Sequence, residues 1–489
     1  MNRDVSSLSA LQRPTRVRYG VLGFACALSM ITYLDRVCIA SAVSPMMEAL
    51  GLKSAAQLDW AFASFAFAYA VFEIPSGWLG DVYGPRRTLI RIVLWWSIFT
   101  ALTGMTGLIG GLIVLVVVRF LFGMGEAGAY PNITRALHNW FPFTERGFAQ
   151  GAVWMGGRLM GGLTPLLWLL LVEGIYWTRT GADGAETTSL LFAPVLHWRA
   201  TFWLFGLLGV GWCLLFSLWF RNRPEQKPAV NVAELALIQK GRTDTGAAHA
   251  HVPWMSLIRS PNLWALCLMY FCAAYGWYFN ITYLPHFLEQ RGVDPHSVVG
   301  AIYKGGPLWL GAVACLLGGF LTDSFIRRTG SRKWGRRLFG VLGHGLCAAC
   351  CFLAFLYPSD PFSVFLFISL AAFWNDLTMG AAWAACQDIG LRYAAIVAGC
   401  MNFIGNLGGA AVGKVTGFII RQTLAAQAAG AGVAVDQLTA EQRNTAELLG
   451  YKINFFMFGV AYLIAVALWL YFDATKPVVP EEKVHADKT

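Results

Sequence analysis

The chain reads as an all-α membrane protein of twelve transmembrane helices in two six-helix bundles. Composition is the first reason: of 489 residues, 57% are hydrophobic and 13% charged, where soluble proteins carry about 25% charged residues. The second is run length. Twelve apolar runs approach the roughly 20 residues that cross a bilayer: 18–44, 58–80, 88–107, 108–136, 146–172, 199–220, 261–288, 297–322, 338–357, 361–388, 393–420 and 451–472. The third is a repeat. Gly77-Trp78-Leu79-Gly80-Asp81 ends the second run and Gly319-Phe320-Leu321-Thr322-Asp323 the eighth, each followed within six residues by paired arginines, Arg86-Arg87 and Arg327-Arg328. Corresponding positions in two halves imply a parallel repeat about an axis along the membrane normal, with a substrate site at the midplane between the halves.

Several runs contain Gly or Pro, which membrane helices tolerate when neighbours satisfy the freed backbone groups. The first run follows Arg3, Arg13, Arg16 and Arg18. It holds Asp35 and Arg36 and has no clear small-residue cleavage site, so it is a retained span rather than a signal peptide. The polar, Pro-flanked stretch 221–260 separates six runs from six. The expected organisation is therefore an N-terminal bundle over 1–222, a linker over 223–260 and a C-terminal bundle over 261–489. Basic residues gather in the N-terminal segment, at Arg86, Arg87 and Arg91, in the linker and over 327–337. The opposite loops hold little beyond Lys53, Arg179 and Arg291. The positive-inside rule makes the basic side cytoplasmic and, with an even span count, places both termini there, in a multi-pass protein of the plasma (inner) membrane. The same rule accounts for the net charge of +10 without nucleic acid as a partner. Two loops on the outer side, 173–197 and 421–450, are longer than a connection needs and are rich in Gly, Ala and Thr.

Nearly all of the eleven cysteines lie inside apolar runs, where Cys behaves as a small hydrophobe. The CxxC within 347–351 has no second pair at zinc spacing, so neither a metal nor a cofactor is expected. An HExxH motif is missing and the histidines are scattered, which argues against a membrane-embedded enzyme. No appended signalling domain supports a sensor. Gly123 to Gly128 spells GxGxxG, but no βαβ unit fits among twenty-residue apolar runs. Those glycines suit close helix packing instead.

The informative residues are charges at membrane depth, where each costs about 2.5 kcal/mol or more. Arg119 and Glu126 are seven residues apart in the fourth run, about two turns, so they project from one helix face. Arg36 and Arg158 add two further permanent charges whose planar forks suit a carboxylate. One or two of these three arginines bind an anion, and the others pair with Asp35 or Glu126. Glu126 is the first candidate for a proton carrier and Asp35 the second, with Glu73 as a possible relay member or structural residue. Protonation of both acids would free arginine for the anion, and proton release would restore the ion pairs and expel it. Tyr275, Tyr278 and Asn280 in the seventh run offer hydrogen bonds to a hydroxylated ligand. Asn402 and Asn406, four apart, make a polar stripe on one helix face. Asp376, Asp388, Lys304 and Lys414 are weaker candidates, and some would snorkel to the interface. Asp81 with Arg86 and Arg87, repeated at Asp323, has the pattern of a latch that holds a loop in one conformation and releases it in another.

These motifs together resemble the major facilitator superfamily and, within it, the anion:cation symporter family. Residues 77–87 are similar to the superfamily's signature loop, although Val82 stands where a basic residue is usual, which implies a weaker latch. Tyr33-Leu34-Asp35-Arg36 resembles the family's first-span motif, and Arg119 through Glu126 and Ala127 to Pro131 its fourth. Gly157-Arg158-Leu159-Met160-Gly161 is similar to the fifth-span signature. Trp383-Ala384, Asp388-Ile389, Asn402 and Gly405-Asn406 resemble the tenth and eleventh spans. The resemblance covers nearly the whole chain apart from the two long outer loops. It implies a carrier, not an enzyme, that imports an organic anion by proton symport with alternating access. The cargo it implies is a sugar acid such as a hexonate, hexuronate or aldarate. The residues are also compatible with another carboxylate or phosphate-bearing anion, with sodium coupling, or with exchange. The expected partners are the small anion, protons and the lipid bilayer, around a monomer.

Overall fold

The computed structural model describes residues 13–52, 55–180, 186–240, 252–293 and 298–479. Arg3, Lys53 and residues 241–251 of the linker, all used in the charge argument, lie outside the described residues. The first half comprises α1 (Val17–Ser41), α2 (Val43–Leu50), α3 (Asp59–Tyr83), α4 (Pro85–Thr103), α5 (Leu112–Glu126), α6 (Ala129–Trp140), α7 (Arg146–Trp168) and α8 (Trp198–Trp219). A short helix, α9 (Val232–Gln239), follows in the linker. Then come α10 (Trp254–Ile258), α11 (Pro261–Trp277), α12 (Phe279–Thr282), α13 (Leu284–Gln290), α14 (Val298–Thr329), α15 (Arg332–Leu356), α16 (Pro361–Leu377), α17 (Met379–Gly390), α18 (Ala394–Ala431) and α19 (Ala440–Tyr471).

Among the described residues, nine helical stretches are long and apolar enough to cross a membrane, and one of them, Pro361–Ala431, contains two of the expected runs. The expected runs at 88–107 and 261–288 are helical as well. The first carries Arg86, Arg87 and Arg91, and the second is cut at Tyr278 and Tyr283. Helix starts follow local chemistry. Ser260, Ser331, Asp360 and Thr439 each accept from a backbone N–H three residues on, which satisfies one of the four orphan donors at a helix start. Pro261 and Pro361 stand in the first turn, where no N–H is missed.

Contacts divide the chain into two compact units: 1–140 with 156–237, and 141–155 with 238–489. In the first, Leu34, Met46, Leu115, Trp168, Trp198 and Phe202 pack in a shared apolar cluster. In the second, Phe279, Phe287, Cys347, Tyr451, Phe455 and Phe458 do so.

Three features differ from the sequence reading. The fourth run is two helices, because Ala127 leaves the helical region and Gly128 adopts φ +83°. Of the long loops, 175–192 contains an antiparallel hairpin, Ile175–Thr180 with Glu186–Phe192. Much of 421–450 is helix, since α18 runs to Ala431 and α19 begins at Ala440; its alanines are strong helix formers, and Gly432 closes α18 at φ +68°. Finally, the linker helix α9 is anchored. Glu234 accepts from the backbone N–H groups of Val17 and Arg18, from Arg18 Nη1 at 3.0 Å and from the Thr15 hydroxyl. A carboxylate is thereby set on the N-terminus of α1, where the helix dipole favours it.

Candidate functional site

The first unit gathers most of the intramembrane charge. Glu126 is the last residue of α5, because the chain turns at Ala127–Gly128 before α6 begins. The glycine is required there: its left-handed backbone lies against Ser76 of α3, with no room for a Cβ. A helix C-terminus disfavours a bare carboxylate, and compensation comes from Arg36 of α1, whose Nε donates to Glu126 Oε1 at 2.5 Å. The pair is lopsided. The Arg36 side chain keeps 22% exposure while that of Glu126 keeps 1%. Arg36 Nη2 and Glu126 Oε2 make no hydrogen bond among the described residues.

Arg119 is almost fully buried, with 2% of its surface exposed. Its guanidinium lies 4.3 Å from the Phe122 ring centroid and 4.9 Å from that of Phe65, a cation–π arrangement worth about 2 kcal/mol once desolvated. Arg119 and Glu126 do lie within electrostatic reach of each other, but the short ion pair of Glu126 is made to Arg36, a residue on another helix. Seven-residue spacing establishes a shared face; it leaves open which neighbour approaches that face. Asp35 is buried beside Glu126 and Arg119. Thr100 and Trp96 of α4 stand near it, yet neither carboxyl oxygen has a hydrogen bond within normal geometry.

Tyrosines surround this cluster. The Arg36 guanidinium sits 4.3 Å from the Tyr69 ring, and Glu73, fully buried on α3, is within electrostatic reach of that same Tyr69. Arg158 Nη1 of α7 donates to the Tyr33 hydroxyl at 2.6 Å. Tyr130 shares a 2.9 Å hydrogen bond with Ser29. Tyr33, Tyr69 and Tyr130 had no assigned role in the sequence reading; Tyr33 and Tyr130 stood only inside the first-span and fourth-span motifs, and Tyr69 looks like an ordinary apolar-run aromatic.

In the second unit the polar candidates separate. Tyr278, at the break between α11 and α12, donates to Asn406 Oδ1 of α18 at 3.3 Å. Asn402 is buried one turn earlier on α18. Tyr275 lies in the apolar cluster, edge-on to Phe458 with 5.3 Å between centroids. Asn280 Nδ2 donates to the Trp277 carbonyl of its own segment at 3.0 Å. The structure thus brings Tyr278 and Asn406 together and leaves Tyr275 and Asn280 in other surroundings. Tyr270 and Trp383, joined at 3.2 Å, form a further polar contact that helical periodicity gave no reason to pick.

At the motif ends, Asp81 meets Arg135 of α6 at 3.5 Å. Arg86 is engaged by the Ser217 carbonyl and, through its backbone N–H, by Asn222, while Arg87 is exposed. Asp323 accepts from Arg336 Nη1 at 3.2 Å, and Arg336 Nε reaches Asp388 at 3.0 Å. Arg146 adds a second contact to Asp388 at 3.1 Å. Arg135, Arg146 and Arg336 escaped the sequence reading because each stands near a helix end, where a basic residue is what topology alone requires.

No group of three or more potential metal ligands occurs among the described residues. The cluster in the first unit consists of carboxyls, guanidiniums and hydroxyls, a set suited to binding anions and moving protons.

The Major Facilitator Superfamily model matches residues 25–413. The chain is 34% identical over 418 residues to the probable sulfoacetate transporter SauU of Cupriavidus necator, covering 84% of this chain and 90% of that protein. It is 26% identical to the probable galactarate/D-glucarate transporter GudP of Bacillus subtilis, covering 86% and 90% respectively. Among solved structures, an inward-facing bacterial homolog of the human lysosomal transporter Spinster aligns over 94% of this chain and 97% of that one, with 20% identity and a TM-score of 0.56. A multi-pass chain so matched along its length belongs to the Major Facilitator Superfamily, among its anion transporters, and is a carrier rather than an enzyme.

Proposed function

We propose that the protein imports an organic anion, a sugar acid of the hexonate, hexuronate or aldarate type, by proton symport with alternating access. The observation that carries this reading is the Arg36–Glu126 pair. A proton on Glu126 cancels the charge that holds Arg36, and the guanidinium, already partly exposed, turns its fork to a carboxylate. When the proton leaves, Glu126 reclaims Arg36 and the anion is expelled. Asp35 is the second proton carrier. Arg119, held between two phenyl rings, is a standing positive charge that draws the anion in, and Arg158 presents a further fork beside Tyr33. Tyr278 and Asn406, with Asn402, offer amide and hydroxyl partners for a polyol backbone. Asp81 and Asp323, with the arginines that meet them, latch the span ends, and both termini are cytoplasmic.

A second reading has specific support. Identity to the probable sulfoacetate transporter is 34%, against 26% to the probable aldarate transporter, which favours a short sulfonated carboxylate as cargo.

The test is uptake into proteoliposomes of labelled sugar acids and sulfoacetate, with proton and sodium gradients imposed separately. The expected result is uphill accumulation with the proton gradient alone. Glu126→Gln is expected to abolish accumulation while leaving binding or exchange measurable; normal accumulation by that variant would refute the assignment.

A further inference from the structure

At the linker end of the second unit, α10, the start of α11 and the segment that follows α19 enclose a cavity of about 410 Å³, within the range of small-ligand sites. Ser256, Arg259, Pro261, Asn262, Lys476 and Val478 are among the residues that line it. The transport reading uses none of them.

The wall of this cavity is fixed before any ligand arrives. Asn262 Nδ2 donates to the carbonyls of Asp473 and Lys476 at 2.8 and 3.0 Å, and its Oδ1 accepts from the Asp473 backbone N–H at 2.8 Å. Further along, the Val478 N–H donates to the Ile389 carbonyl at 2.9 Å. The acid of this segment is already occupied: Asp473 meets Lys333 at 2.9 Å and accepts from the Thr475 hydroxyl at 2.6 Å. The cations that line the cavity are not. Arg259 and Lys476 are exposed, and neither side chain makes a hydrogen bond or ion pair among the described residues. Two positive charges at a preformed concavity favour an anion.

The surroundings decide what kind of anion. On α10, Trp254 and Ile258 are exposed four residues apart and share one face. Trp264 and Leu268, again four apart, are exposed on α11 and continue the apolar strip into the seventh span. Trp264 Nε1 donates to the Ile258 carbonyl at 2.7 Å, so the indole is held by its polar edge with its ring outward, as aromatics sit at a membrane–water interface. Basic loops mark this end as cytoplasmic, where the leaflet is rich in anionic lipid. A soluble anion would use the two cations and leave the apolar strip idle. A phospholipid uses both.

We propose that this cavity binds the phosphate headgroup of an anionic phospholipid between Arg259 and Lys476, with an acyl chain lying along Trp264 and Leu268. The lipid joins the end of the linker to the C-terminal segment.

The experiment titrates phosphatidylglycerol, phosphatidylcholine and glycerol 3-phosphate into the purified full-length protein in detergent and reads bound ligand by native mass spectrometry. Phosphatidylglycerol should bind at least about tenfold more tightly than phosphatidylcholine. Arg259→Gln and Lys476→Gln should each weaken phosphatidylglycerol by about fivefold, and the double variant by about thirtyfold. Arg259→Lys keeps the charge and should stay within about threefold of wild type, which separates a lost contact from misfolding. Arg223→Gln removes an exposed charge elsewhere in the linker and should leave lipid affinity unchanged. Equal binding of the two lipids overturns the inference. So does an equal loss from Arg223→Gln, which would mean diffuse surface charge, or competition by glycerol 3-phosphate at matched concentration, which would mean a soluble anion. Binding is read without transport, so each of these outcomes leaves the transport reading standing.

Discussion

Asp81 meets Arg135 at 3.5 Å, whereas Asp323 accepts from the backbone N–H groups of Gly147 and Phe148 at 3.1 and 2.6 Å and from Arg336 at 3.2 Å. Both carboxylates end a GxxxD stretch that two arginines follow, so equivalent sequence has arrived at different physics. Both arginine contacts are longer than the 2.7–2.9 Å of a charge-assisted hydrogen bond. The second carboxylate caps the first turn of α7, where free N–H groups and the helix dipole both favour an anion. Arg336 then passes the constraint to Asp388, and Arg146 holds Asp388 from another side. What the motif supplies is a carboxylate and a glycine-lined approach. How tightly that carboxylate is gripped depends on residues far away in the chain.

The largest effect that would expose this difference is expected from Arg336→Leu. It removes the arginine that Asp323 and Asp388, both buried, share, at a cost of about 3–5 kcal/mol, read as a lowered thermal midpoint in detergent. Arg135→Leu should cost clearly less, and equal losses would break the comparison. Next come the motif glycines. A Cβ on Gly319 would meet the Gly147 carbonyl and the Phe148 Cα, which are backbone and cannot yield, whereas a Cβ on Gly80 would meet the Asn132 side-chain amide, which can give only by loosening its hydrogen bonds to the Ser76 and Gly128 carbonyls. Gly319→Ala is expected to cost about 1–3 kcal/mol and Gly80→Ala less, by the same melting measurement. The smallest effect sharpens the boundary of the rigid region. Lys333 reaches Asp473 at 2.9 Å with 38% of its side chain exposed, so Lys333→Gln should cost no more than about 1 kcal/mol. A larger loss would extend the Asp323 network out to the surface.

Much of the architecture was legible before any coordinates. Run length marked the spans, and Ser260, Asp360 and Thr439 each stand where an N-cap residue begins a helix. The break after Glu126 had a signal that went unread: Gly128 follows it directly and Pro131 stands at the start of a new helix, a combination that makes one continuous helix less favourable. The 421–450 loop was misjudged because its Gly and Ala content was weighed as loop composition, while its alanines favour helix. An arginine paired with Glu126 was expected, but that the partner is Arg36, 90 residues away in sequence, was set by packing.

Sequence alone determined that this protein spans a membrane many times and buries charge there, because apolar length and the cost of an intramembrane ion are properties of the chain itself. It also determined that anions and protons suit those charges, since guanidinium and carboxyl chemistry does not depend on the fold. Only the tertiary structure decided that Glu126 answers to Arg36, that Arg119 rests on phenyl rings, that Arg158 leans on Tyr33 and that Asp323 caps a helix. An ion pair depends on separations of a few ångströms between side chains on different helices, and those separations are set by how whole helix faces pack.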